Sequence, residues 1–262
     1  MTARPTARTD AAPSVGAPAA PGPDVPTPGT PAPRAARPGR PRSDADRDTR
    51  GAVLAAAAEL FSSVGYTATS TYAVAERAGV RQASIYHHFR GKDALLRTLL
   101  LDTVRPSLAL ADQLLDEPGS PAARLWALCD ADAHWLAAGP VNIGGLMLLP
   151  EVAGESFAEF RSERRELRER YEALVAAVLG VPADPAPLAA TLVFGLVESV
   201  ITARSAGGTE AVGSLAPLVA DAALRVLGLD DAAVARARES AADLGPGPLL
   251  LDEADAPDPG PV

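Results

Sequence analysis

Residues 65–96 read GYTATSTYAVAERAGVRQASIYHHFRGKDALL, and this stretch decides the fold. Two short helical patterns meet in it at a glycine. Ser70 is placed to cap the first, because a serine hydroxyl accepts the unpaired backbone N–H groups of an opening turn. Val74, Ala75 and Ala78 then fall on one inward side. Gly79 breaks the pattern, and Ile85 and Phe89 give the second segment its apolar side. Two short helices joined by a glycine-containing turn form a helix-turn-helix when the first is braced and the second is exposed. Ala75 is small enough for close helix approach, and Val80 and Ile85 can anchor the second helix. That leaves Arg81, Gln82, Ser84, His87 and His88 to project. Such donor-rich side chains reach base edges and phosphates in a major groove. A generic helical hairpin carries a similar pattern, so the residues alone leave both readings open.

The same stretch holds two of the chain's three histidines and its one lysine, Lys92. A metal or catalytic role for His87 and His88 is disfavoured by geometry, since helix neighbours point about 100° apart. The positions one turn further on are Gly91 and Lys92, so no carboxylate follows either ring.

Helical patterns continue on both sides. In DADRDTRGAVLAAAAELFSSVGY (44–66), Val53, Ala57, Leu60, Phe61 and Val64 form one apolar stripe. Asp44, Asp46 and Asp48 suit its positive N-terminal end, and Gly65 ends it. A longer helix starts near Lys92 with Leu95, Leu96, Leu99 and Leu100, and Pro106 is expected to kink or interrupt it. Further amphipathic segments cover 121–139, 155–180 and 214–230, the last with Leu215, Leu218, Val219, Ala222 and Val226 on one side. Residues 188–208 are apolar nearly all round, as in a helix buried on most sides. No alternating strand pattern of useful length occurs, so the expected fold class is all-α.

Composition supports this. Of 262 residues, 47% are hydrophobic but only 4% aromatic, so Ala, Leu and Val must fill the core. Cys129 is the one cysteine, which excludes an internal disulfide and a multi-thiolate metal site. The N-terminus lacks the apolar core of a signal peptide. The apolar run 188–203 contains Glu198 and is short for a bilayer. A cytoplasmic protein with no membrane partner and no cofactor is therefore expected. The net charge of −9 hides an asymmetry. Residues 1–97 carry 13 basic and 8 acidic side chains, net +5, whereas the remainder is net −14. An anion-binding front and an acidic remainder fit this division.

Residues 1–45 hold 11 of the 25 prolines and almost no large apolar residue. They are expected to form a disordered, Pro-rich basic arm. Its end, RPGRPR (37–42), is either ordinary linker or, through Arg40 and Arg42, a minor-groove arm resembling an AT-hook core. A DNA-binding domain is expected over 46–98, a helical effector-binding and dimerisation domain over 99–240, and a disordered acidic tail over 241–262.

The stretch 65–96 resembles the DNA-binding domain of TetR-family transcriptional regulators. Gly65-Tyr66, Ser70, Val74-Ala75, Ala78-Gly79-Val80, Ser84-Ile85-Tyr86, Phe89, Lys92 and Leu95 carry the resemblance, and AVLAAAAELF (52–61) is similar to the family's first helix. The resemblance covers about 46–100. It implies that Ser70 and Thr71 donate to a phosphate, and that Arg81, Gln82 and Ser84 approach base edges. It also implies that Tyr86 and His87 meet backbone or thymine methyls, and that Lys92 holds a phosphate. His88 would instead lean on the helix bundle. Two features depart from the family pattern. Arg81 stands where a small capping residue is common, and Arg90-Gly91 replaces a more usual turn.

The resemblance further implies a homodimer on palindromic double-stranded operator DNA and a small-molecule effector. The segments 188–204 and 214–227 offer more apolar face than a monomer would bury. Candidate pocket residues are Trp126, Cys129, His134, Trp135, Asn142, Met147, Phe157 and Phe194, which mix aromatic bulk with polar groups. The glycine-rich 139–148 reads as a flexible or closely packed connection, without the ending that would hold a nucleotide. The function expected is a ligand-responsive repressor. An architectural or adaptor protein without effector is the alternative. An enzyme using His134 with Glu151 or Asp132 is not expected, since nothing supplies a nucleophile.

Overall fold

A computed structural model describes residues 42–184, 187–206 and 215–244, with the side chains of 42–46 outside the description. The described residues contain helices and no strand. In chain order these are α1 (Arg42–Ser63), α2 (Thr71–Arg77), α3 (Gln82–His88), α4 (Lys92–Asp116), α5 (Pro121–Ala137), α6 (Ala158–Leu179), α7 (Leu188–Ser205), α8 (Leu215–Val226) and α9 (Asp231–Ala242). Three short 3₁₀ turns, Ile143–Leu148, Pro150–Ala153 and Glu155–Phe157, join α5 to α6.

The first three helices close on a small core. Val53, Ala57 and Phe61 of α1 are buried against Val74, Ala75 and Ile85. Val64, expected in that stripe, is exposed because α1 ends at Ser63 and the chain turns away. Ser70 caps α2 as expected, its Oγ accepting from Ala73 N at 3.1 Å. Gly79 sits at φ 68°, a left-handed turn that costs glycine no steric strain.

The α4 helix leads from this unit into the rest of the chain. Pro106 lies inside it without ending it, and the boundary expected at 98/99 falls within its span. One hydrophobic cluster runs from Val53 to Ala241, so both ends of α4 are buried in the same core. Around its second half pack α5 and α6, with α7 against α5 and α6, and α8 and α9 against α5.

Two sequence expectations are corrected by the structure. First, the stripe expected to close the fold on α8 is split: Leu218 and Val226 are exposed, Leu215, Val219 and Ala222 are half-buried, and Ala216, Ala220, Ala223 and Leu224 are buried. Small residues lie against α5 because close helix approach leaves no room for larger ones. Second, α9 lies in the helical domain expected over 99–240 but runs on to Ala242, past the expected start of the tail. Asp230 caps it, accepting from Ala233 N at 2.7 Å. The α1 helix also begins at Arg42, inside the segment expected to be arm. The expected arm up to Pro41, with Arg40, lies outside the described residues, as do 245–262 of the expected tail.

The core of the larger part holds a buried polar knot. Asp132 on α5 accepts from Ser107 Oγ of α4 and Tyr171 Oη of α6, each at 2.8 Å. All three residues are buried. Burial pushes the Asp132 carboxyl up to about 6, against the pull of those two bonds. A carboxyl raised on folding is more protonated in the folded than in the unfolded chain. Its stabilising contribution is complete below the ordinary value of 3.8 and is lost as pH rises through about 6. Denaturant melts of the wild type and Asp132→Asn between pH 7 and pH 5 test this. The wild type should gain about 1 kcal/mol on acidification relative to the variant. Equal pH slopes would show that this carboxyl does not titrate there.

Candidate nucleic-acid interface

The outer face of the first three helices is polar and aromatic. Arg81, Gln82, Tyr86 and His87 are exposed on α3 or at its start, and Ser84 is half-buried. Arg81 is the N-cap residue of α3 and makes no side-chain cap bond, so its guanidinium projects. Thr71 bridges the two helices: Gln82 Nε2 donates to its Oγ1 at 3.4 Å, and Tyr86 Oη lies 3.4 Å from the same oxygen. These contacts hold Gln82 and Tyr86 in one row. His88 is half-buried, with its ring 6.2 Å from that of Phe89. Arg77 is engaged elsewhere, donating to Glu59 of α1 at 2.8 and 3.1 Å.

Tyr72 on α2 was missed by the sequence reading. It is more exposed than Tyr86 and widens the aromatic surface. A usable signal existed, because position 72 lies outside the inward set Val74, Ala75 and Ala78.

Lys92, expected at a phosphate, is also bound within the protein. Its Nζ donates to Tyr66 O at 2.7 Å and Thr67 O at 3.3 Å, and stands 4.3 Å from the Tyr66 ring centre. Two of three ammonium protons are thus directed at carbonyls of the turn between α1 and α2. Tyr66 Oη donates to Asp93 at 2.5 Å. Burial, aided by that carboxylate, pushes the Tyr66 phenol up, while the Tyr66 hydroxyl and then Ser156 hold the Asp93 carboxyl down. The turn before α2 is therefore fastened to the start of α4.

The expected pocket residues are not brought together. Of the eight, Met147 lines a cavity of about 730 Å³ between the 3₁₀ turns, α6 and α7. Trp135 lines a second, of about 310 Å³, beside Pro106 and Arg204. Trp126, Cys129, Phe157 and Phe194 are core residues. Trp126 donates to Asp221 at 2.8 Å, and Phe194 packs edge-on against Tyr171. His134 is exposed. Asn142 caps the first 3₁₀ turn and donates to Ile201 O at 2.8 Å. Sequence reading counted aromatic bulk as pocket, whereas large rings here fill the centre of the bundle. It missed Phe160, Arg161, Arg164 and Glu198, which line the larger cavity. The glycine-rich connection is closely packed: a β-carbon on Gly144 would stand 2.7 Å from Ile201 Cγ1. His134, Asp132 and Glu151 do not converge, because Asp132 faces Ser107 and Tyr171 while Glu151 faces Thr67.

Replacing Lys92 with Met should lower the melting temperature by several degrees even without nucleic acid, since two carbonyls lose a charged donor. Calorimetry checks this. An unchanged melting temperature would mean that the contacts with Tyr66 and Thr67 carry no stability.

Residues 53–99 match the family model described as bacterial regulatory proteins, tetR family. A curated relative, the HTH-type transcriptional repressor KstR2 of Mycolicibacterium smegmatis, is 33% identical over 88 residues, covering 34% of this chain and 42% of the relative. The chain thus spans about two-fifths of that relative's length. The crystal structure of Mycobacterium smegmatis AmtR aligns with a TM-score of 0.67 and 45% identity, covering 80% of this chain and 98% of AmtR. The TetR-family regulator PfmR from Thermus thermophilus shares the fold, with a TM-score of 0.57 and 23% identity over 66% of this chain and 97% of PfmR. With the helix-turn-helix match at one end and a likeness to AmtR over most of its length, the chain belongs to the TetR family of bacterial regulatory proteins.

Proposed function

We propose that this chain is a ligand-responsive transcriptional repressor, acting in the cytoplasm as a homodimer on a palindromic operator. The observation that carries the reading is the projecting row Arg81, Gln82, Tyr86 and His87 on a helix whose inner side, at Ile85, is fully buried. A helix anchored in this way can enter a major groove as a rigid body, its exposed side chains meeting base edges. Arg81 suits guanine and Gln82 adenine. Ser70, Thr71 and Tyr72 lie beside it for phosphate contact, and Lys92 keeps one proton for the same purpose. Arg40 and Arg42 belong to the same proposal, as an arm that follows the adjacent minor groove.

Dimerisation is supported by apolar surface on two adjoining helices. Leu188 is 83% exposed and Leu192 is 57% exposed on α7, with Leu218 and Val226 on α8. By length and composition α7 could cross a membrane, but Glu198 on it pairs with Arg164 and Arg204 caps α5. A four-helix interface between copies covers the exposed leucines. The effector occupies the 730 Å³ cavity, whose size suits a small molecule.

Selection of bound fragments from random duplex DNA tests the reading. It should return a symmetric motif, whereas an architectural protein would return none at moderate salt. On that motif Arg81→Ala and Gln82→Ala should each cost about 1–3 kcal/mol and relax preference at one position of each half-site. Equal losses on specific and random DNA would contradict the roles given to these two residues. Leu192→Glu with Leu218→Glu should give a monomer by sedimentation, with operator affinity lost. A variant that remains dimeric would place the interface elsewhere.

A further inference from the structure

The larger cavity and the DNA-binding unit share one piece of chain. Residues 143–157, the strap of three 3₁₀ turns, form a wall of the cavity through Met147, Leu149, Pro150 and Val152. The same strap reaches the helix-turn-helix: Thr67 Oγ1 donates to Glu151 Oε1 at 2.8 Å, in the turn that Lys92 and Tyr66 fasten. Glu151 Oε2 is buried and has no hydrogen-bond partner among the described residues. A carboxylate left half-satisfied is costly to keep, so this contact is poised to open.

The strap is tethered from the cavity side by Arg161 of α6. Its Nη1 donates to Val152 O at 2.8 Å and Gly154 O at 2.6 Å. Arg161 lines the cavity, and no carboxylate pairs with it among the described residues. Its Nε and Nη2 make no hydrogen bond there, and this is the edge of a guanidinium that accepts a carboxylate through two parallel bonds. The neighbouring Arg164 is already neutralised by Glu198. The remaining wall is mostly apolar, with Phe160 and with the hydroxyl residues Ser199 and Thr202 of α7. The cavity therefore combines one uncompensated cation with a mostly apolar lining.

Resting on the reading of this cavity as the effector site, we propose that its ligand is an aliphatic acid read by Arg161. Its binding is transmitted to the DNA-binding unit through the strap and the Glu151–Thr67 contact. A carboxylate seated on the Nε–Nη2 edge fixes the tilt of the rigid guanidinium plane, and a changed tilt carries Nη1 away from the carbonyls of Val152 and Gly154. The strap then loses its tether, Glu151 leaves Thr67, and the turn before α2 loses a support. The ligand needs only to favour the untethered state to lower operator affinity.

The test uses the full chain with three probes of equal chain length: decanoate, 1-decanol and decylammonium. Calorimetric titration without DNA should show saturable binding of decanoate, at least tenfold tighter than either control. Arg161→Gln should weaken decanoate binding at least tenfold, and Arg161→Lys, which retains the charge, should recover part of it. Thr67→Val should bind decanoate at least as tightly as the wild type does, because the ligand no longer has to break the Glu151 contact. On the selected operator, decanoate should weaken wild-type binding severalfold but change Thr67→Val binding much less. Equal binding of the alcohol or the amine, absence of saturable decanoate binding, or indifference to Arg161→Gln would overturn the assignment of the acid. Full operator release in Thr67→Val would overturn the route. The titrations need no DNA, so failure to select an operator would count against the repressor reading and leave the ligand result intact.

Discussion

The surface proposed to meet DNA depends on how the turn after α1 is held. Lys92 sits over the Tyr66 ring and donates to the carbonyls of Tyr66 and Thr67, while the Tyr66 hydroxyl donates to Asp93. One lysine thus joins the last residues before α2 to the first residue of α4. Without that link, two seven-residue helices would rest on a small core alone, and isolated helices of that length are not stable in water. With it, α2 and α3 are positioned by a 25-residue helix whose other end is buried in the larger bundle. Any displacement of α4 reaches the exposed row Arg81, Gln82, Tyr86 and His87 through this junction.

The larger part of the chain shows a second use of the same physics. Three buried charged residues, Asp132, Arg204 and Asp221, each have partners around them. Asp132 receives two hydroxyls, and Arg204 places three bonds of 2.7–2.9 Å on the carbonyls that end α5. Asp221 receives the Trp126 indole. Buried polar groups satisfied in this way fix which helix faces meet, because a wrong register would strand them. Arg161 differs, since it lines the cavity while its Nε and Nη2 make no hydrogen bond among the described residues. That contrast distinguishes a group available to a ligand from groups devoted to packing.

Much of the DNA-binding unit was legible in the sequence. Its signals are local: Ser70 caps by reaching three residues ahead, Gly79 supplies the left-handed turn, and Val74, Ala75 and Ile85 mark the inner side. The exposed status of Arg81, Gln82, Tyr86 and His87 follows from the same periodicity. The double role of Lys92 was not legible, because its partners lie 25 and 26 residues earlier in the chain. The cavity was hidden for a similar reason. Arg161 lies in a highly charged helix and Glu198 in a nearly apolar one, and only tertiary packing brings the two to one cavity. On α8 the apolar stripe was recognised but is shared, Leu215 and Val219 packing on the core while Leu218 and Val226 are exposed, since a stripe does not say how much of it faces its own core.

The central claim is that α3 enters the major groove once in each half of a symmetric site. Ala83→Cys offers a direct measurement, because Ala83 is exposed on α3 and the chain's other cysteine, Cys129, is fully buried. A DNA-cleaving iron chelate attached at position 83 would report where α3 lies on the selected duplex. Two symmetric clusters of strand cuts are predicted, with centres about 10 base pairs or a multiple of that apart. Cleavage spread evenly along the duplex, or a single asymmetric cluster, would contradict the account.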